Sequence, residues 1–592
     1  MNSNKVKEKS FKILFAFTAA LCIVAVVAIF AFLIIKSVPT FRRIGFFEFI
    51  FGKEWKPNVD DGFTGEIKGK YGVFKMIIGT IVATLGSVIV GGVLGFFTAV
   101  FISKFCPKKL KGAFVTVINL LAGIPSVIFG FFGMVVLLPK LGVFSETGSG
   151  SGLLAVSLVL GLMILPTVVS LSKTSIDAVP DSYYEGARAL GATHEQAVFR
   201  AVVPAAKSGI VASIILGIGR AVGETMAVIM VAGNVVEYPK GLFQSFRVLT
   251  ANIVMEMGYA GDLQLGALIS TGVVLLLFIL IINLLTGLAT SGGKKDKTHK
   301  KRSIEPLAKF FHAIKIEKIG KIVAYVSAVI ASIGLISIIL FVCVNGIPHL
   351  TTQLLFGKYS VRNISIFPAI VTTLMTIGIS LVIAVPIGVF TAIFLNEYSK
   401  KGSKVVRIIR SAIDILAGVP SIVYALFGMV TFVAWFNGRQ SILAGSLTIA
   451  IMLLPTVVRS TEESLKSVSD TLREGSLALG AGKVRTIFKV VLPGALPGIA
   501  SAIILAMGRV VSESAPFVYT MGNCLTTMPK GVMSDGTTLA VALYTLAGEG
   551  QYLNEAYATA FVLLVIVLAL NLPANLITKK LDKKLKGSKN GK

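Results

Sequence analysis

The sequence predicts an all-α membrane protein made of two parallel repeats of six helices, about twelve transmembrane helices in all. Three observations lead to this fold class. Hydrophobic residues make up 54% of the 592 residues and charged residues only 15%, whereas soluble domains carry about 25% charged residues. Apolar runs long enough to cross a bilayer recur along the chain. The second half repeats a polar signature of the first half at a constant distance.

Each half contains six apolar runs, and a helix needs about 20 apolar residues to cross a hydrocarbon layer of about 30 Å. In the first half the predicted spans lie near residues 14–35, 73–103, 112–138, 152–172, 207–235 and 263–290. In the second half they lie near residues 320–346, 367–396, 407–436, 441–458, 495–521 and 555–578. An even number of spans per half gives both copies the same topology, so the repeat is parallel.

The polar signature is Glu185-Gly-Ala-Arg-Ala-Leu-Gly191 followed by Val203-Pro204, and it returns as Glu474-Gly-Ser-Leu-Ala-Leu-Gly480 followed by Leu492-Pro493. Each residue of the second copy lies 289 positions after its counterpart. A polar, helix-forming stretch duplicated in register inside an apolar chain disfavours the alternative of an ordinary connector between helices.

The residue types in the signature predict a helix–turn–helix in each half, at residues 181–204 and 470–493. Gly191 and Gly480 permit a sharp turn because only glycine adopts left-handed backbone geometry without steric penalty. Pro204 and Pro493 suit the first turn of the following helix. We call these two stretches the first and second coupling segments.

Other blocks also recur between the halves. They are Leu121-Ala-Gly-Ile-Pro-Ser126 with Leu416-Ala-Gly-Val-Pro-Ser421, Leu165-Pro-Thr-Val-Val169 with Leu454-Pro-Thr-Val-Val458, and Gly219-Arg220 plus Glu224 with Gly508-Arg509 plus Glu513. The Gly-Pro-rich blocks 123–133 and 418–428 predict close helix packing, with a local helix break as the alternative. The predicted division is a first half at 1–290, a basic linker at 291–318, and a second half with a basic tail at 319–592.

The net charge of +28 does not indicate nucleic-acid binding, because the basic residues cluster between the apolar runs. Such clusters mark the cytoplasmic side of a membrane protein. The N-terminal tail, the linker, both coupling segments and the C-terminal tail all fall on one side when the spans alternate. We therefore expect a multi-pass protein of the cell membrane with both termini in the cytoplasm.

The Glu-x-Ala…Gly…Leu-Pro pattern resembles the coupling motif of ABC-importer permease subunits, which presses into a cleft on the cytoplasmic ATPase. The second copy has Ser476 where the motif has alanine, and the first has Val203 where it has leucine. The Gly-Ile/Val-Pro-Ser, Leu-Pro-Thr-Val-Val and Gly-Arg-x-x-x-Glu blocks are similar to the phosphate-specific branch. The resemblance covers nearly the whole chain and implies a type I ABC-importer-like permease, with the two permease subunits of the high-affinity phosphate importer fused together.

Carried over residue by residue, the resemblance assigns ATPase coupling to Glu185, Ala187, Gly191, Pro204, Glu474, Ser476, Gly480 and Pro493. It implies two copies of a cytoplasmic ATP-binding subunit, an extracytoplasmic phosphate-binding protein, and phosphate as the substrate. ATP and Mg would bind to the partner, with no cofactor, metal or catalytic residue in this chain. The sequence itself contains no G-x-x-x-x-G-K-[ST] loop for ATP phosphates, so we do not expect an enzyme.

Charged residues inside the predicted spans are the candidates for handling the substrate. An arginine at a helix centre costs about 2.5–3.5 kcal/mol on insertion scales, so it should line a cavity or be paired. Arg220 lies 13 residues after Lys207, or roughly 20 Å along a helix. We predict that Arg220 and Arg509 line the anion route, since arginine binds oxyanions bidentately, with Arg459 near the cytoplasmic mouth.

Glu224 and Glu513 are each four residues after an arginine, which predicts that they lie on the same helix face as that arginine. The hypothesis is that they hold the arginines and moderate anion affinity. The alternative is that each Arg–Glu pair is a salt bridge that only stabilises the bundle.

Three other functions stay open at this stage. A permease for another oxyanion, such as sulfate or molybdate, would be separated from a phosphate permease by uptake competition. A secondary carrier driven by an ion gradient would have no use for duplicated coupling segments. A purely structural membrane scaffold leaves the arginines without a purpose.

Overall fold

The computed structural model of the chain describes residues 2–57, 69–146, 148–291, 316–360, 363–399 and 403–587, and its regular structure is almost entirely helical. In these residues, nine helices are long and apolar enough to cross a membrane, or up to twelve if each of three bent helix pairs counts as one span. The all-α class and the number of predicted spans are thereby confirmed. Most of the predicted basic linker, residues 292–315, and the end of the basic tail, residues 588–592, lie outside the described residues.

The chain forms two compact units. Each unit contains the first long helix of the other sequence repeat. The first-repeat unit comprises Ile44–Glu256 and Val274–Val344, and the second-repeat unit comprises Met1–Arg43, Met257–Val273 and Asn345–Lys592. The predicted division at 1–290, 291–318 and 319–592 follows the sequence repeat and stays a prediction about the repeat.

The first-repeat unit begins with a short helix and a two-stranded antiparallel hairpin that pairs Trp55 with Tyr71. Its strands are Trp55–Lys56 and Lys70–Tyr71. Its α-helices are Phe46–Phe51, Phe74–Ser87, Val93–Val100, Lys108–Ala122, Ser126–Phe132, Leu138–Gly142, Leu153–Asp177, Asp181–Ala189, His194–Ala197, Val203–Ala205, Lys207–Gly223, Met226–Val231 and Leu249–Glu256, followed by parts of Asp262–Ser291 and Ile316–Gly346. Its π-helical turns are Val88–Gly92, Phe101–Phe105, Gly133–Leu137 and Val198–Val202.

The second-repeat unit has a similar order of long helices, and the described residues of this unit include no strand. Its first element is the long helix Asn2–Ile44, of which the unit contains the residues up to Arg43. The 3-10 turns Met257–Tyr259 and Ile347–His349 also belong to this unit. Its other α-helices are Thr352–Phe356, Phe367–Ile393, Lys404–Gly418, Ser421–Gly428, Ile442–Ser467, Asp470–Ala478, Lys483–Thr486, Leu492–Ser512, Ala515–Thr520, Leu539–Glu549 and Leu553–Gly587. Its π-helical turns are Phe394–Tyr398, Met429–Val433 and Ile487–Val491.

One helix lies at the centre of each unit. We call Leu153–Asp177 the Pro166 helix and Ile442–Ser467 the Pro455 helix, after the proline inside each. In their most apolar windows 67% and 72% of the residues are buried, more than in any other candidate span of the described residues. The second span packs on the Pro166 helix at backbone distance, since a Cβ on Gly91 would lie 2.2 Å from the Gly161 carbonyl oxygen.

The third predicted span of each repeat is not one straight helix. Lys108–Ala122 and the helix that starts at Ser126 meet at 96°, and Lys404–Gly418 and the helix that starts at Ser421 meet at 98°. The break falls at the Gly-Ile/Val-Pro-Ser block, because a proline removes a backbone donor and disfavours helical geometry in the residue before it. The same block also packs closely, since a Cβ on Gly130 would lie 2.9 Å from the Ala227 Cα atom. The block therefore combines a helix break with close helix packing, the two roles predicted for it.

The first long helix of the chain packs inside the second-repeat unit. Phe15 is fully buried, with its ring centroid 5.3 Å from that of Phe390, and the Cys22 sulfur lies 3.5 Å from the Thr391 hydroxyl. In the first-repeat unit, Tyr325 of the helix Ile316–Gly346 contacts Phe101 with ring centroids 4.8 Å apart. Apolar length predicted both helices, but not the repeat on which each one packs.

Candidate functional site

The two membrane arginines make the same contact in the two repeats. The guanidinium of Arg220 donates a hydrogen bond to Thr167 Oγ1 at 2.9 Å, and that of Arg509 donates to Thr456 Oγ1 at 3.3 Å. Both threonines belong to the duplicated Leu-Pro-Thr-Val-Val block, directly after the proline of a central helix. Both arginines are half-buried, and a hydroxyl accepts a hydrogen bond from one edge of each guanidinium.

The glutamates lie where a helix breaks, which corrects the prediction of continuous fifth spans. The helix Lys207–Gly223 ends before Glu224, which has φ −73° and ψ 137°. The helix Leu492–Ser512 ends before Glu513, with φ −82° and ψ 140°. Because both residues have an extended backbone, the i+4 geometry of a continuous helix does not apply to them.

The two glutamates also differ from each other. Glu224 Oε1 accepts a hydrogen bond from the Ala227 N–H at 3.3 Å, and the Glu224 carbonyl accepts one from the Thr250 hydroxyl at 2.9 Å. Glu513 Oε1 lies 3.8 Å from Arg509 Nε, with both side chains mostly buried. The Arg–Glu pairing that the sequence suggested is therefore directly seen at residues 509 and 513.

Arg459 lies eight residues before the end of the Pro455 helix, with its side chain 48% exposed, and forms an ion pair with Asp414 of the helix Lys404–Gly418. Nearby, Arg410 and Lys466 both contact Glu462, at 2.5 and 2.7 Å. Four other charged side chains on helices, those of Arg410, Asp414, Glu462 and Lys466, therefore lie near Arg459. Only Arg459 among these residues was predicted from the sequence. Its assignment to the mouth of the anion route stays a prediction.

Each coupling segment is a helix, a glycine turn and a second short helical stretch. The first helices are Asp181–Ala189 and Asp470–Ala478, and Gly191 and Gly480 follow them with φ +84° and +82°. A side chain at these φ values is strained, so glycine is the residue that allows the turn. Pro204 and Pro493 each stand in the first turn of the next α-helical piece.

The outer surface of the coupling segments is free of tertiary contacts in its own unit. The helices Asp181–Ala189 and Asp470–Ala478 have no buried residue, and Glu185 and Glu474 are exposed. At the turn, Leu190 and Leu479 are each 91% exposed. An apolar side chain is therefore exposed at the same place in both repeats.

Several residues of these sites were not predicted from the sequence. Thr167 and Thr456 stand in motifs that were recognised, but only the structure shows them against the arginines. Asp414 and Glu462 carry no pattern that would have identified them. In the coupling segments, the side chains of His194, Arg473 and Lys483 have partners at the end of the second span, and Tyr184 contacts His194.

Both repeats match a known protein family. The family model described as "Binding-protein-dependent transport system inner membrane component" matches twice, at residues 91–291 and 384–587. Each match contains one pair of arginine and glutamate and one coupling segment. The two matches together cover more than half of the chain.

Individual relatives show the same doubling. A phosphate transport system permease protein PstA homolog of Mycoplasma pneumoniae is 29% identical over 562 residues, covering 81% of this chain and 83% of its own length. The probable ABC transporter permease protein YqgH of Bacillus subtilis is 38% identical over 276 residues, or 45% of this chain and 87% of its own. The phosphate transport system permease protein PstC of Pasteurella multocida is 31% identical over 283 residues, which cover 43% of this chain and 85% of its own length.

The last two relatives thus correspond over most of their length to about half of this chain, while the first runs through both repeats. Transport components rather than enzymes make up this family, and the apolar helices agree with a multi-pass membrane protein. The chain belongs to the family of binding-protein-dependent transport system inner membrane components, with two permease repeats fused in one polypeptide that is homologous to the PstA and PstC permeases.

Proposed function

We propose that this chain is the membrane permease of an ATP-driven importer of inorganic phosphate, which works by alternating access. The pair of matched coupling segments carries the proposal, because each exposes a leucine, Leu190 or Leu479, at 91%. Such a surface, present once in each repeat, favours a partner that binds twice. We assign this role to two copies of a separate cytoplasmic subunit that binds ATP and Mg.

The substrate is inferred from the arginines and from the relatives. Two of the relatives are named phosphate transport permeases, which supports phosphate over other oxyanions. Arg220 and Arg509 supply the fork-shaped donors that phosphate oxygens accept bidentately. A threonine hydroxyl that accepts from the arginine can donate its own proton to the same anion. Thr167 and Thr456 would then orient the guanidinium and touch the phosphate.

The glutamates have a distinct part in this proposal. A carboxylate close to the arginine lowers its attraction for a dianion, so phosphate is passed on rather than trapped. The distance of 3.8 Å between Arg509 and Glu513 supports that role in the second repeat. In the first repeat Glu224 accepts a hydrogen bond from the Ala227 N–H, which would hold its carboxylate near the start of the helix Met226–Val231.

The orientation follows from the basic clusters. We place both termini and both coupling segments in the cytoplasm, where the positive-inside rule puts Lys and Arg. The opposite ends of the bundle would receive an extracytoplasmic phosphate-binding protein. Closure of the ATP-binding pair would move both coupling segments and rock the two halves between inward-open and outward-open states.

The test is reconstitution of the chain in lipid vesicles with its ATP-binding subunit and a phosphate-loaded binding protein. The expected result is phosphate-stimulated ATP hydrolysis and ATP-dependent uptake of radiolabelled phosphate that excess unlabelled sulfate or molybdate does not reduce. Competition by sulfate or molybdate would instead support a permease for another oxyanion. Uptake that needs no ATPase and stops when an ion gradient is dissipated would overturn the proposal in favour of a secondary carrier.

A further inference from the structure

Each coupling segment is fastened to the end of the second span of its own repeat. In the first repeat, the His194 ring meets the Phe105 ring edge-on, with centroids 5.0 Å apart. In the second repeat, Lys483 Nζ lies 4.8 Å from the centroid of the Tyr398 ring. Lys483 is 289 positions after His194, and both rings belong to the last residue of a π-helical turn, Phe101–Phe105 or Phe394–Tyr398.

Hydrogen bonds complete this contact in the first repeat. His194 Nε2 lies 3.1 Å from the Lys104 carbonyl oxygen, which can only accept, so Nε2 carries a proton. In the neutral ring Nδ1 then accepts from the Tyr184 hydroxyl at 2.7 Å. Tyr184 stands on the helix Asp181–Ala189. A continuous chain of contacts therefore runs from the coupling helix through His194 to the end of the second span.

In the second repeat an ion pair connects the coupling helix to the end of the second span. Arg473, the counterpart of Tyr184, contacts Glu397, the residue before Tyr398, at 3.1 Å. Their side chains are only 13% and 9% exposed. Arg473 also donates to the carbonyl oxygens of Leu465 and Val468, at 2.6 and 2.5 Å. We call each set of contacts a clasp: Tyr184, His194, Lys104 and Phe105 in the first repeat, and Arg473, Lys483, Glu397 and Tyr398 in the second.

The second span leads from the clasp to the candidate anion site. In the first-repeat unit it packs on the Pro166 helix at backbone distance, with Gly91 against Gly161. The Pro166 helix carries Thr167, which accepts the hydrogen bond from Arg220. The coupling segment therefore reaches Arg220 by two kinds of route. One is the covalent chain, which leads back through residues 178–180 to the Pro166 helix and forward past Pro204 to the helix Lys207–Gly223. The other passes through the clasp and the second span.

We infer that the clasps transmit the movement of the coupling segments to the second spans, with residues 184 and 194 in the first repeat and 473 and 483 in the second as positioning residues. The two repeats join the same positions by different chemistry, aromatic and hydrogen-bonded in one and ionic in the other. The inference depends on the proposed function, because it concerns how ATP hydrolysis by a partner reaches the substrate path.

The experiment uses the full chain in vesicles with the ATP-binding subunit and a phosphate-loaded binding protein. Three quantities are compared: basal ATP hydrolysis, its stimulation by the loaded binding protein, and retention of the ATPase during purification. His194→Ala removes the first clasp. His194→Lys combined with Phe105→Tyr puts the chemistry of the second clasp in its place. Lys483→Met removes the cation over the Tyr398 ring at similar length and leaves the Arg473–Glu397 ion pair in place. Lys9→Met makes the same substitution at an exposed residue outside both coupling segments and is the control.

We expect His194→Ala and Lys483→Met to retain the ATPase and basal hydrolysis but to lose about two- to thirtyfold in stimulation, the range for residues that couple distant sites. The double substitution His194→Lys with Phe105→Tyr should recover at least half of the stimulation. Lys9→Met should behave like the unmodified chain. If His194→Ala accumulates poorly, Lys483→Met decides the question by itself.

Full stimulation in both clasp variants would overturn the inference, since the covalent route alone would then suffice. Loss of ATPase retention would also overturn it, because the residues would act in docking rather than in transmission. Failure of the exchanged pair to recover stimulation would contradict the equivalence of the two clasps. Absence of stimulation in the unmodified chain would count against the proposed function itself, and so the two failures are distinguishable.

Discussion

The hydroxyl of Ser476 lies 2.9 Å from the hydroxyl of Thr486 across the turn of the second coupling segment. The first coupling segment has Ala187 and Ala197 at these two positions. The departure from alanine at position 476 is therefore matched by a second change, and the two hydroxyls satisfy each other where the first repeat uses two methyl groups. One exchange without the other would leave a half-buried hydroxyl without this partner.

This relationship predicts a non-additive effect on stability. Ser476→Ala should lower the free energy of unfolding by about 0.5–1.5 kcal/mol, the net value of one hydrogen bond. Ser476→Ala combined with Thr486→Ala recreates the first repeat and should cost less than the sum of the single changes. Thermal unfolding in detergent measures both effects. Strict additivity would mean that the two hydroxyls do not interact.

The Arg220–Thr167 hydrogen bond predicts a graded loss of transport. Arg220→Gln should reduce phosphate uptake about tenfold or more, since a hydrogen bond to a charged group contributes roughly 1.5–3 kcal/mol. Thr167→Val should give a smaller loss, and Thr167→Ser, which keeps the hydroxyl, should retain most of the uptake. Initial uptake rates at equal protein level provide the measurement. Unchanged uptake in Arg220→Gln would remove this arginine from the substrate path.

The exposed leucines predict a binding defect without a folding defect. Leu190→Asp and Leu479→Asp should each weaken association with the ATP-binding subunit, because a carboxylate would enter an apolar contact. The melting temperature should stay within about 1 °C, since each side chain is 91% exposed and such surface changes stay within about 0.5 kcal/mol. Co-purification of the ATPase measures association, and Leu190→Met is the matched control. Normal co-purification of both aspartate variants would contradict the coupling assignment.

Substituting each partner of the Arg459–Asp414 ion pair distinguishes a role of Arg459 in anion handling from a purely structural role of the pair. Exposed ion pairs contribute about 0–1 kcal/mol, so Arg459→Gln and Asp414→Asn should both leave stability nearly unchanged. If Arg459 handles the anion, Arg459→Gln alone should lower uptake. Equal uptake losses in the two variants would show that the pair acts only as a link between its two helices.

Much of the architecture was predictable because its causes are local in sequence. Apolar length sets the number of spans, since a helix must match the thickness of the bilayer whatever surrounds it. The turn at Gly191 was predictable for a similar reason, as the backbone preference of glycine belongs to one residue. The constant spacing of 289 residues paired Arg220 with Arg509 and Leu190 with Leu479 without any knowledge of contacts.

The break before Glu224 was missed although it had a weak signal. Gly223 precedes it, and in the second repeat Pro516 follows Glu513 closely. Each of these residue types lowers the stability of a continuous helix. The apolar residues on both sides conceal that signal in a membrane sequence, since they lengthen the run without reporting whether the backbone continues as a helix.

The sequence by itself determined the class, the number of spans, the parallel repeat and the shape of the coupling segments, because all of these depend on residues close along the chain. Only the tertiary structure decided that Thr167 holds Arg220, that Asp414 pairs with Arg459, and that His194 meets Phe105. It also decided that the helix Asn2–Ile44 packs with the second repeat. These partners lie tens to hundreds of residues apart, and their meeting depends on how helices rotate and shift against one another, which a hydropathy pattern does not encode.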